Sequence, residues 1–136
     1  MTATLAKSPA VATRLGLAAL AAAAANAAIA LAAGTLVSGG VRTGLAPVEF
    51  LPATVIGIVI GAIGWTLVAR YAPKALRVVV PAALVLTWIP DLLLLNAGVT
   101  IGNVIALMLM HLVVATAVVT AMRPGVRRAR GDDSAR

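Results

Sequence analysis

The chain alternates between long apolar stretches and short segments that carry its charges, glycines and prolines. Between Arg14 and Arg42 there are 27 residues without a formal charge, and between Glu49 and Arg70 there are 20. The stretch 78–122 has 45 residues and a single formal charge. A helix needs about 20 apolar residues to cross a bilayer. The last stretch is therefore long enough for two helices, and the pattern predicts four.

Charges, prolines and glycines mark the ends of these helices. The four predicted transmembrane helices lie near residues 15–38, 50–70, 76–96 and 100–122. They make up one transmembrane domain, 15–122, between an N-terminal tail at 1–14 and a basic C-terminal tail at 123–136 that we expect to be disordered. Pro124 is expected to end the last helix, because proline lacks the backbone donor that a helix interior uses.

The composition excludes a water-soluble domain and a disordered chain. Hydrophobic residues make up 62% of the 136 residues, and the mean hydropathy is +1.06. Charged residues make up 11%, against roughly 25% in soluble proteins. We therefore predict an all-α fold, an integral membrane four-helix bundle that leaves almost no chain for a further domain.

The distribution of basic residues predicts the orientation of the bundle. Ten of the 11 basic residues fall in the two tails and in the 70–77 connection, whereas Arg42 falls in the loop between the first two helices. By the positive-inside rule, both termini are then cytoplasmic. Because orientation explains the net charge of +7, no nucleic-acid partner is expected, and the basic tail is expected to lie against anionic lipid headgroups. The basic, alanine-rich start also fits a cleaved secretory signal, although its 23 apolar residues are long for one.

Two ionisable residues are predicted to lie inside the membrane. Asp91 follows Pro90 in the third helix, and an Asp near a helix centre costs about 2.5–3.5 kcal/mol to insert. Pro90 leaves one carbonyl without its helical donor and is expected to kink the helix. His111 lies near mid-depth of the fourth helix, and a short turn makes the two helices antiparallel neighbours. A contact between Asp91 and His111, direct or through one water, is therefore expected.

These residues belong to a candidate polar centre inside the bundle. Its members are Asp91, His111, Asn26, Asn103 and Thr87. In a structural interpretation, the side chains satisfy one another's hydrogen bonds and fix helix packing. In a functional interpretation, Asp91 and His111 carry a proton or bind a polar headgroup. A His beside a carboxylate can titrate in the physiological range, and intramembrane ionisable groups usually mark function.

The sequence offers few ligands for a metal or a cofactor. It has no cysteine, and His111 is its single histidine. A site made of Glu49, Asp91 and His111 would need three helices to converge, so neither a metal nor a cofactor is expected. Glu49 is instead expected at the headgroup level, where it can pair with Arg42.

Three glycines of the second helix, Gly57, Gly61 and Gly64, predict a close approach by another helix. Glycines four residues apart leave room for a neighbouring backbone. The neighbour is either another helix of the bundle or a second copy of the chain, so a homo-oligomer stays open.

Two short motifs carry a resemblance to a known group of proteins. Ile89-Pro90-Asp91 in the third helix and Leu107-Met108-Leu109-Met110-His111-Leu112-Val113 in the fourth resemble small uncharacterised four-helix integral membrane proteins of actinobacteria, catalogued as a domain of unknown function. The resemblance implies a fold and a bacterial inner membrane, but no reaction. Small multidrug transporters are similar in their four helices, yet this chain has Asn26 where they have an acidic residue.

The function that we predict is that of a non-enzymatic accessory or scaffold subunit of a membrane complex. A small proton-coupled transporter that uses Asp91 and His111 is the first alternative. A membrane-embedded enzyme acting on a lipid-like substrate, with the same two residues as acid and base, is the second.

Overall fold

The helices of the computed structural model follow the apolar stretches of the sequence. The structure describes residues 9–39 and 41–133, with the side chains of 10–39 and 41–123. Its α-helices are α1 (Pro9–Leu36), α2 (Pro47–Tyr71), α3 (Leu76–Leu93) and α4 (Ile101–Asp133). Short 3-10 turns, Pro73–Ala75 and Leu94–Ala97, precede and follow α3. The described part of the chain holds no β-strand, and the predicted all-α fold of four helices is confirmed.

Apolar side chains cover the outside of the bundle, and several polar side chains lie inside it. Leu20, Leu31 and Ile60 are each more than 60% exposed. The buried polar residues are Asn26, Thr54, Asp91 and Asn103. Four segments of 23–27 residues are long and apolar enough to cross a membrane. A surface of this kind suits lipid rather than water, and the chain is a multi-pass membrane protein.

Two helices extend further than the sequence pattern predicted. α1 begins at Pro9, about two turns before the predicted start near residue 15, and proline is well suited to a first helical turn. The backbone of α4 continues through Pro124 to Asp133, over much of the segment expected to be disordered. A proline removes one intrahelical hydrogen bond but need not end a helix.

α3 keeps a helical backbone through Pro90, and the kink expected at that residue stays a prediction. The helix ends in a 3-10 turn, after which Gly98 adopts a left-handed conformation with φ of 78°. A residue with a Cβ is strained at such a φ, so Gly98 makes the tight reversal between α3 and α4 possible.

α4 is the central helix of the bundle. It packs against α1, α2 and α3, and its contact with α1 is the most extensive in the molecule. A small core joins three helices through Ala22, Ile58 and Val118. In contrast, α2 and α3 touch each other very little although they follow one another in the chain. The bundle therefore has a gap between α2 and α3, with α4 behind it.

Two of the three predicted packing glycines contact α4 of the same chain. A Cβ added to Gly57 would lie 3.0 Å from Val114 Cγ1, and one added to Gly61 would lie 2.9 Å from Val118 Cγ2. A Cβ on Gly64 would meet nothing within 4 Å. Gly57 and Gly61 thus bring α2 close to α4, whereas Gly64 faces open space.

Candidate functional site

Asp91 and His111 join α3 to α4 inside the bundle. Asp91 is buried, and its Oδ2 lies 3.0 Å from His111 Nδ1. The same nitrogen lies 3.0 Å from the backbone oxygen of Leu107, one turn earlier in α4. Trp88 adds a second link between these helices, because its Nε1 donates a hydrogen bond of 3.1 Å to the Met108 carbonyl.

The two oxygens around Nδ1 determine the tautomer of His111. Both are acceptors, so Nδ1 must carry a hydrogen. The hydrogen bond of this nitrogen goes to the Leu107 carbonyl. Asp91 Oδ2 lies within ion-pair distance, but it has no hydrogen-bond partner among the described residues. In the neutral ring, Nε2 is then an acceptor, and no described group bonds it.

Asn26 and Thr54 form a separate polar contact between α1 and α2. Asn26 Nδ2 donates to Thr54 Oγ1 at 2.8 Å, and Thr54 in turn donates to the Phe50 carbonyl at 2.7 Å. Because the Thr54 hydroxyl hydrogen is already used, the amide of Asn26 must present its N–H to Thr54. Asn26 Oδ1 is consequently a buried acceptor without a partner in the described part of the chain.

Asn103 fastens the loop after α1 to α4. Its Oδ1 accepts a hydrogen bond of 3.2 Å from the Thr43 N–H, and its Nδ2 donates one of 3.0 Å to the Thr43 carbonyl. Asn103 is fully buried. Thr87, the remaining member of the predicted centre, bonds the Leu84 carbonyl of its own helix.

The structure therefore divides the predicted polar centre into separate contacts. It brings Asp91 and His111 together, but it gives Asn26 and Asn103 partners in other elements. Asn26 is kept from Asp91 because α1 packs on α2 and α4, away from α3, and Asn103 is taken up by the Thr43 backbone of the loop after α1.

Thr54 and Trp88 were not among the predicted site residues. The available signal for Thr54 was a hydroxyl in an otherwise apolar helix. The signal for Trp88 was an indole N–H, which needs an acceptor when it is buried.

A groove of about 700 Å³ occupies the gap between α2 and α3, with α4 behind it. Its polar lining residues lie in the half nearer to the start of α2: Asn26, Glu49, Thr54, Thr87 and His111. The other half is apolar and includes Trp65 and Val119. Ile60 and Val79 line the groove and are at least 40% exposed, so it opens onto the outer surface of the bundle.

A smaller pocket of about 260 Å³ lies at the end of the bundle where α1 finishes and α2 begins. Arg42 and Glu49 both line it, and Glu49 also lines the large groove. The expected Arg42–Glu49 ion pair is absent from the described residues. Arg42 Nη2 instead bonds carbonyls at the end of α1, and Glu49 Oε2 accepts from the Ala46 N–H at 3.1 Å. Backbone groups at the two helix ends compete for these side chains.

Metal-ligating side chains do not cluster in the part of the chain whose side chains the structure describes. No three His, Cys, Asp or Glu residues come together there. What the geometry offers is an imidazole with a carboxylate on one side and the groove on the other.

Comparison with known proteins found one family. The chain matches the family described as "Family of unknown function (DUF6069)" over residues 6–128. No curated protein and no solved structure matches it.

Proposed function

The chain belongs to this family of unknown function, and from its own geometry we propose that it is a non-enzymatic accessory protein that holds one amphipathic, lipid-like molecule. In this proposal the protein lies in a bacterial inner membrane with both termini in the cytoplasm. The molecule lies in the groove between α2 and α3, with its polar end toward the start of α2.

The groove is the observation that carries the proposal. It is about 700 Å³ in volume, within the range of about 300–1,000 Å³ that is usual for small-molecule sites. The groove is elongated between two helices, is lined mainly by apolar side chains and is open on one side. A site of this volume and lining suits a single chain-like molecule.

The polar half of the groove supports an amphipathic ligand over a plain hydrocarbon. His111 lines it and has Nε2 without a bond in the described residues. Asn26 also lines it and has a buried Oδ1 without a partner there. Both atoms accept hydrogen bonds, and leaving the buried Asn26 Oδ1 unpaired costs about 1–3 kcal/mol. A ligand hydroxyl or ammonium group would remove that cost.

The proposal is tested by native mass spectrometry of the protein released from lipid nanodiscs. We expect the intact chain to carry one bound lipid. Gly64→Leu should remove that lipid, because Gly64 lines the groove and a Cβ there meets nothing within 4 Å, so the new side chain can occupy the space of the lipid.

Gly16→Leu is the matched control. Gly16 lies in α1, a Cβ there also meets nothing within 4 Å, and the residue does not line the groove. We expect this variant to keep the lipid. Equal lipid occupancy in the two variants would show that the groove is not the binding site.

A second candidate function is a proton-coupled carrier, and the Asp91–His111 contact favours it. The proton would enter and leave at Nε2, since Nδ1 keeps its hydrogen between two acceptors. In proteoliposomes, Asp91→Asn should then abolish proton-driven movement of the bound lipid while leaving its binding in nanodiscs intact. Unchanged movement would exclude the carrier and leave the accessory protein.

The enzyme alternative stays a prediction. It requires that Asp91→Asn and His111→Ala each abolish turnover of a substrate.

A further inference from the structure

We propose that Arg42 and Glu49 bind the headgroup of a zwitterionic, ammonium-bearing phospholipid whose acyl chain lies in the groove. This inference rests on the proposed function, because it names the lipid that the groove holds. The phosphate would lie at Arg42 and the ammonium at Glu49.

The position of the two cavities supports one ligand that fills both. The 260 Å³ pocket and the 700 Å³ groove share Glu49 as a lining residue. The pocket lies where α1 ends and α2 begins, which is the level of the headgroups for helices that just cross the bilayer. A lipid with its headgroup in the pocket has its chain beside the groove.

Arg42 and Glu49 supply charges of opposite sign that are not used up on each other. No ion pair joins them among the described residues. Arg42 Nη2 bonds the Gly34 and Val37 carbonyls, which leaves Nη1 and Nε as donors for a phosphate. Glu49 uses Oε2 for the Ala46 N–H, and its Oε1 has no bond in the described residues.

Charge complementarity selects the class of headgroup. A zwitterion places an anion at the guanidinium and a cation at the carboxylate. An anionic phosphatidylglycerol would satisfy Arg42 but would place no cation at Glu49. A phosphatidylcholine carries a quaternary nitrogen without N–H groups and cannot donate to the carboxylate, whereas phosphatidylethanolamine can.

The test uses nanodiscs of phosphatidylethanolamine, phosphatidylglycerol and phosphatidylcholine in equal amounts. The full-length protein is released, and its bound lipid is identified by mass spectrometry. We expect phosphatidylethanolamine to be enriched over the other two. In Glu49→Gln we expect the enrichment over phosphatidylglycerol to fall about threefold, as for loss of one charge pair near the surface.

Glu49→Gln is suited to this test because an amide oxygen can still accept the Ala46 N–H, so the start of α2 is kept. Lys74→Gln is the control, since it removes a positive charge in the turn Pro73–Ala75, at the other end of α2. It should leave the lipid preference unchanged. A wild-type preference that Glu49→Gln does not reduce would overturn the headgroup site.

The outcomes separate this inference from the proposed function. If wild type binds all three lipids equally and Gly64→Leu still removes them, the groove binds lipid and the headgroup site is wrong. If wild type releases without any lipid, both proposals fail.

Discussion

Asp91 Oδ2 and His111 Nδ1 lie 3.0 Å apart between α3 and α4, in a bundle whose outer surface is apolar. The contact leaves the opposite nitrogen of the ring without a bond in the described residues, at the border of a groove. The hydrogen bond from Nδ1 to the Leu107 carbonyl sets the tautomer of the ring, and the carboxylate lies beside it. The pair thus links two helices and also presents an acceptor to whatever enters the groove.

A double-mutant cycle should detect this contact energetically. We expect Asp91→Asn and His111→Ala to be coupled by about 0.5–1.5 kcal/mol, since polar contacts in membranes average about 0.6 and reach about 1.7. The measurement is equilibrium unfolding in mixed micelles of the two single variants and the double variant.

The control cycle pairs Thr66→Val with Thr116→Val. Each threonine bonds a carbonyl of its own helix and is exposed, so the two should be additive. A coupling of zero for Asp91 and His111 would mean that the contact adds nothing to stability.

Two glycines of α2 should respond to the same substitution in opposite directions. Gly61→Ala brings a Cβ within 2.9 Å of Val118 Cγ2, and valine is stiff at χ1. We expect a loss of about 1–3 kcal/mol from overpacking. Gly64→Ala meets no neighbour within 4 Å and should stabilise the helix by about 0.4–1 kcal/mol.

Thermal unfolding in detergent measures both glycine variants under identical conditions. If Gly61→Ala is as stable as Gly64→Ala, α2 and α4 are further apart than the structure places them.

Asn103→Ala should loosen the loop between α1 and α2. The change removes both hydrogen bonds to Thr43 and leaves the backbone N–H and C=O of that residue without these partners. We expect a cost of about 2 kcal/mol and faster protease cleavage within residues 37–46. Asn96→Ala is the control, because Asn96 is exposed and has no side-chain bond in the described part. Similar cleavage rates in the two variants would argue against the role of Asn103.

The orientation of the bundle can be tested directly, because the chain has no cysteine. Ser38→Cys lies in the loop between α1 and α2, and Ala72→Cys lies between α2 and α3; both positions are exposed. With the termini in the cytoplasm, a membrane-impermeant thiol reagent should label intact cells at residue 38 and should reach residue 72 after permeabilisation. The reverse pattern would place the termini outside.

Much of the fold could be predicted from the sequence, because the cost of placing charge in lipid restricts where helices lie. The neighbourhood of Asp91 and His111 also follows from depth and from the direction of antiparallel helices. The partners of Asn26 and Asn103 do not follow. Thr54 is 28 residues from Asn26, and Thr43 is 60 residues from Asn103, so these bonds depend on which helices pack together.

The groove is a further feature that the sequence pattern does not contain. Helices joined by a short connection usually pack against each other, and only the three-dimensional arrangement shows that α2 and α3 stand apart with α4 behind them. Glu49 illustrates the same point. Its residue type predicts a surface charge, but its place between two cavities comes from the fold.

The central place of α4 has a consequence for biosynthesis. Its residues leave the ribosome after those of α1, α2 and α3, yet α4 is the helix that contacts each of the other three. Until it enters the membrane, Asp91 has no His111 beside it and Asn103 has not fastened the preceding loop. The contacts that join the other three helices therefore form only once α4 enters the membrane, and a nascent chain that stops before residue 101 leaves Asp91 without His111.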